Sequence, residues 1–63
     1  MLESIITQAI VNYPFEFGKE NADEGLFMII GMVRLGLESS LISPEYSDKA
    51  VEAIFYLNEI IKK

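Results

Sequence analysis

Along the first part of the chain, Leu2, Ile5, Ile6, Ala9, Ile10 and Tyr13 recur every three or four positions. That spacing stacks them on one helical face. Glu3, Ser4, Thr7, Gln8 and Asn12 fall mostly on the other side, and Val11 stands out of register. Pro14 disfavours helical geometry in the residue before it, so the pattern predicts a helix over 2–13.

The next segment, 14–22, alternates Phe15 and Phe17 around Glu16 and then reaches Gly18, a turn point. It suits either a short extended stretch that plugs two rings into the core or a single helical turn begun by Pro14. Asn21 with Glu24 three residues on has the form of an N-cap and capping box, and Asp23 and Glu24 complement the positive end of a helix dipole. A second helix over 22–39 follows. Its apolar residues Leu26, Phe27, Met28, Ile29, Ile30, Met32, Val33, Leu35 and Leu37 cover about two-thirds of the circumference at 100° per residue. Glu24, Gly31, Arg34 and Glu38 leave a narrow polar stripe. A helix apolar nearly all round is a buried one, so this element is expected at the centre of the assembly. Gly25, Gly31 and Gly36 each cost about 1 kcal/mol of helix propensity against alanine; close approach of a neighbouring helix or local bending accounts for them, and the other reading, a ligand set against bare backbone, has no phosphate-loop pattern behind it.

After Ser39-Ser40-Leu41-Ile42, Ser43 is a good N-cap and Pro44 suits the first helical position. Glu45 opens and Lys62-Lys63 close a third helix over 44–62, each matching the dipole. Its core stripe is read as Tyr46, Ala50, Ala53, Leu57 and Ile60, widened by Ile54 and Ile61. A connection this short makes helices two and three antiparallel. The expected fold is therefore one small all-α domain, a three-helix chain in which the first helix packs across an antiparallel hairpin of the other two.

Composition raises the question of how so short a chain holds together. The chain has 63 residues, 51% of them hydrophobic, and lacks cysteine and histidine. At 7.1 kDa, folding removes about 6,200 Å² of surface. If about 60% of that is apolar, burial contributes about 90 kcal/mol, against about 95 kcal/mol for ordering the chain. Disulfides and the commonest metal ligands are closed to it, which leaves association as the remaining stabiliser. The expectation is a homodimer, a dimeric helical bundle with two-fold symmetry.

Charge narrows the partners. Ten acidic and five basic residues give a net charge of −5, and Lys19, Arg34, Lys49, Lys62 and Lys63 are scattered. Nucleic acid and anionic membrane surfaces both call for clustered cations, so neither is expected. The start, Met1-Leu2-Glu3-Ser4, lacks the positive region of a signal peptide, and no apolar run spans about 30 Å of hydrocarbon. These features, with the lack of cysteine, lead to an expected cytoplasmic location.

Candidate chemistry is sparse. Glu16, Glu20, Asp23 and Glu24 form an acidic group, but their spacing does not match a calcium loop, and a solvated surface accounts for them. No histidine is present to activate a serine, and Lys49 lies among Asp48 and Glu52 as a surface charge. The chain is not expected to be an enzyme, nor to carry a cofactor. Arg34 reads as a surface partner of Glu38 or as a contact to another chain. Val51 and Phe55, four apart and far round from the core stripe, and Tyr56, also off it, read as buried against another chain. The alternative is that Phe15 or Phe17 folds over Phe55 within the monomer. Val51, Phe55, Tyr56 and Arg34 are thus the candidate interface residues. The function expected is a non-catalytic protein–protein interaction module or regulator. A second expectation is an immunity- or antitoxin-type inhibitor that masks a basic partner, and a third, less supported, is an acidic metal-binding protein or enzyme.

Overall fold

The computed structural model describes residues 1–63. It contains three α-helices and no strand, with 86% of residues helical. Helix α1 spans Leu2–Glu16, α2 Ala22–Glu38 and α3 Pro44–Lys62, and a 3-10 turn over Lys19–Asn21 joins the first two. The helices run up, down and up. Glu3 at the start of α1 accepts a hydrogen bond from the Ser43 N–H at the start of α3 (3.1 Å), whereas Tyr13 near the end of α1 meets Asn58 near the end of α3. Lys62 reaches back to Asp23 at the start of α2, so α2 and α3 form the expected antiparallel hairpin.

Helix α1 runs one turn further than its sequence predicts. Pro14 has no N–H to offer the Ile10 carbonyl, yet the helix continues and the Phe17 N–H donates to the Tyr13 carbonyl at 3.0 Å. Tertiary contacts decide the outcome. Tyr13 is fully buried, its hydroxyl donates to the Ala22 carbonyl at 2.7 Å, and its ring stands 5.6 Å from that of Phe17. Holding Tyr13 helical outweighs the preference that proline imposes on it. The segment is thus the helical alternative at 14–16, and the extended stretch is confined to Phe17 and Gly18.

The core is built from Ile6, Ile10 and Tyr13 of α1, Ala22, Leu26, Ile29 and Val33 of α2, Ile42 of the connection, and Ala50 and Ile54 of α3. Two glycines let the helices close on it. A Cβ at Gly25 would lie 2.7 Å from Tyr13 Cε1 and 2.8 Å from Phe17, and one at Gly36 would lie 2.9 Å from Leu2 Cδ2.

Helix α2 ends at Glu38 and is closed by a Schellman arrangement. Ser40 adopts φ 57°, the Leu41 N–H donates to the Gly36 carbonyl at 2.8 Å, and the Ser40 N–H to the Leu37 carbonyl at 3.1 Å. Ser43 caps α3 as expected, its Oγ accepting from the Tyr46 N–H at 3.1 Å. The expected Asn21 cap is not formed: its side chain makes no capping bond, because the 3-10 turn delivers the chain into α2 already wound.

The face that α3 buries is rotated from the expected stripe. Ser47, Ala50, Ile54 and Asn58 are buried, with Tyr46, Val51, Leu57 and Ile61 half-buried beside them, while Ala53 and Ile60 are exposed. The two polar members explain the shift. Asn58 turns inward to bond Tyr13, and Ser47 is small enough to sit against the neighbouring helices, so hydrophobicity alone misplaced the stripe. Val51, expected far from the core, packs against it.

Candidate functional site

Helix α2 is apolar nearly all round, but its neighbours cover only one side of it. Ala22, Gly25, Leu26, Ile29, Val33 and Gly36 are buried, and at 100° per residue their common direction lies opposite Gly31. The outward face is therefore centred on Gly31 and carries Glu24, Phe27, Met28, Arg34, Leu35 and Glu38. Phe27 is 69% exposed, Leu35 63% and Met28 51%. Within one chain this helix is not enclosed, since two helices can cover only about half of its circumference. Beyond its own turn of helix, Gly31 has no atom within 4 Å of where a Cβ would stand, so unlike Gly25 and Gly36 it answers no packing need of the monomer.

A second outward surface lies on α3. Asp48, Val51, Glu52, Phe55, Tyr56 and Glu59 share one side of this helix. Phe55 is 47% exposed and Tyr56 63%. Neither of the rings expected as internal covers serves that purpose: Phe15 is 86% exposed, and Phe17 packs on Tyr13 and over Gly25. Three carboxylates surround the two α3 rings, which gives this face a negative potential.

The sequence grouped Arg34 with Val51, Phe55 and Tyr56. The structure places the last three along one side of α3, and Arg34 on the outward face of α2 beside Phe27 and Leu35. Arg34 and Glu38 do not pair, because the one ion pair in the molecule is Lys62–Asp23, at 3.0 Å. That pair belongs to a polar chain running from the surface into the core. Lys62 Nζ holds both Asp23 oxygens (3.0 and 3.2 Å), Asn58 Nδ2 donates to Asp23 Oδ1 at 3.4 Å and to Tyr13 Oη at 2.9 Å, and Tyr13 donates to the Ala22 carbonyl. The hydrogen bonds from Lys62 and then Asn58 hold the Asp23 carboxyl below its ordinary value. The chain pins all three helices at one end. At the other end Tyr46 Oη donates to the Glu3 carbonyl at 2.8 Å and shares a hydrogen bond with the Thr7 hydroxyl. No buried side-chain polar atom lacks a partner, so these groups are fully engaged in holding the fold.

Of the acidic group Glu16, Glu20, Asp23 and Glu24, only Asp23 takes part in a described interaction, and no three carboxylates are arranged to hold a metal ion. No helix is long and apolar enough to cross a membrane. Sequence reasoning missed Asn58 and Ser47 as inward residues and did not single out Gly31 among the three glycines. A signal for Gly31 was present, in that it shares its stripe with Glu24, Arg34 and Glu38 and stands four residues from both Phe27 and Leu35. Comparison with known proteins finds no matching family model, no similar curated protein and no similar solved structure.

Proposed function

We propose that this protein is a non-catalytic interaction module that associates with a second copy of itself. The observation that carries the reading is how little of its apolar content one chain covers. Only 14 of 63 residues are buried, while Phe27, Met28, Leu35, Phe55, Tyr56 and Ile60 stand exposed. The accessible surface is 4452 Å², against about 4,100 Å² for a compact monomer of this mass. Exposed rings and aliphatic chains gathered on helix faces mark sites of association. Sedimentation velocity across a dilution series tests this: a dimer that dissociates on dilution is expected, with a melting temperature that rises with protein concentration. A chain that stays monomeric at every concentration, with a melt independent of concentration, overturns the self-association.

A second reading concerns the outward side of α3. Phe55 and Tyr56 among Asp48, Glu52 and Glu59 suit a partner that presents apolar side chains framed by lysine or arginine, as an inhibitor masking a basic surface would require. An amphipathic cationic peptide should bind with an affinity that falls steeply with salt, and Phe55→Ser should remove that binding. Binding insensitive to salt, or unchanged in Phe55→Ser, refutes this role for the α3 surface.

A further inference from the structure

We infer that two copies of this chain pair through the outward face of α2, antiparallel, about a two-fold axis that passes beside Gly31. The inference rests on the self-association proposed above and assigns it to one surface.

The first support is the glycine itself. Gly31 costs the helix about 1 kcal/mol against alanine, and the monomer gains nothing in return, because the space over it is open. A backbone laid bare at the centre of this outward face, between Phe27 on one side and Met28 and Leu35 on the other, allows another helix to come close.

The second support is that the face is its own complement. An isologous interface requires that residue i meet residue j and that j meet i in return. Counted from Gly31, the outward residues stand at −7, −4, −3, +3, +4 and +7: Glu24, Phe27, Met28, Arg34, Leu35 and Glu38. Rotating this strip about the two-fold sets Leu35 beside the partner's Met28, and Arg34 beside the partner's Phe27 ring, each contact occurring twice. The first fills apolar space. The second lays a guanidinium against an aromatic face, an attractive contact for the only arginine of the chain. Glu24 falls beside the partner's Glu38 at the outer ends, about 10 Å along the axis from the crossing, where crossed helices diverge and water screens the like charges.

The third support is charge. The alternative self-pairing, α3 against α3, would bring Asp48, Glu52 and Glu59 of both copies around the rings. A chain with net charge −5 already resists doubling, and the α2 face sets one arginine against its two acids where the α3 stripe gathers three acids. The strip also sets the strength. A helix of 17 residues is about 25 Å long, so the contact belongs with the small, reversible interfaces below about 1,200 Å².

Sedimentation of three variants beside the parent chain tests the inference, with helical melts as folding controls. Leu35 and Gly31 are exposed, so substitution there leaves the core intact. Leu35→Glu should weaken dimerisation about 100-fold or more, since each copy buries a new charge. Gly31→Leu should weaken it as strongly by holding the helices apart. Phe55→Glu should leave it unchanged. In this cysteine-free chain, Gly31→Cys should form a covalent dimer under mild oxidation and Asp48→Cys should not, because only the first brings two Cα atoms within about 7 Å. If the parent dimerises while Leu35→Glu and Gly31→Leu dimerise equally well, the α2 pairing is overturned and self-association stands on another face. If the parent is a monomer throughout, both fall together.

Discussion

Asn58 Nδ2 donates to Tyr13 Oη at 2.9 Å, joining α3 to α1 across 45 residues of chain. The Tyr13 hydroxyl in turn donates a hydrogen bond to the Ala22 carbonyl at the entrance to α2, so one hydroxyl ties all three helices. Tyr13→Phe keeps the ring but leaves two buried polar groups without this partner. It should destabilise the protein by about 1–3 kcal/mol, read as a lower midpoint in urea denaturation. A change below about 0.5 kcal/mol would show that the hydroxyl does not matter to the fold.

The glycines of α2 should respond oppositely to the same substitution. Alanine at either Gly25 or Gly31 gains about 1 kcal/mol of helix propensity. At Gly25 the new methyl stands 2.7 Å from the Tyr13 ring and 2.8 Å from Phe17, and such overpacking costs about 1–3 kcal/mol. Gly25→Ala should therefore be neutral to destabilising. At Gly31 nothing opposes the gain, so Gly31→Ala should raise the melting temperature of the dilute monomer by several degrees. Equal effects at the two positions would contradict the packing described for Gly25.

Ser40 holds a left-handed conformation, φ 57°, at the position after α2 that glycine usually fills. A residue with a Cβ pays about 1–2 kcal/mol there, partly offset in glycine by its greater freedom when unfolded. Ser40→Gly should stabilise the protein by about 0.5–1 kcal/mol in chemical denaturation. Ser39→Gly, where φ is −91°, should not.

Lys62 and Asn58 hold the Asp23 carboxyl below its ordinary value. The unfolded chain then binds that proton more readily than the folded one, so stability falls with acid. The contribution is fully present above about pH 3.9, the unfolded value, and is lost as pH drops through the lower folded value. Asp23→Asn should flatten this part of the stability–pH profile, and salt should weaken the exposed pair. A profile unaltered in Asp23→Asn would assign the acid sensitivity to other carboxylates.

Much of the architecture follows from local rules read along the chain. The spacing of Leu2 to Tyr13, the Ser43-Pro44 start of α3 and the short connection before it are set within a few residues, and the three helices and their hairpin follow from them. Whatever required a choice between local preference and a distant partner was not legible there. Pro14 argues for a helix end at Tyr13, and only the burial of Tyr13 against Ala22 and Asn58 overrides it. Polarity argues for Asn58 facing solvent, and only a buried phenol hydroxyl makes it a core residue and turns α3 with it.

The same division applies to the surfaces. By itself the sequence determined that this chain has more apolar side chain than three short helices can bury, because hydrophobic content and length suffice to state that excess. It also placed Val51, Phe55, Tyr56 and Arg34 among the candidates. Which side of each helix stays open was decided by the tertiary structure, since α2 is apolar nearly all round and its periodicity cannot select a face. Packing selected one by drawing Gly25 and Gly36 against α1 and the connection. Gly31 was left facing outward, because two neighbours approaching from one side cannot enclose a helix.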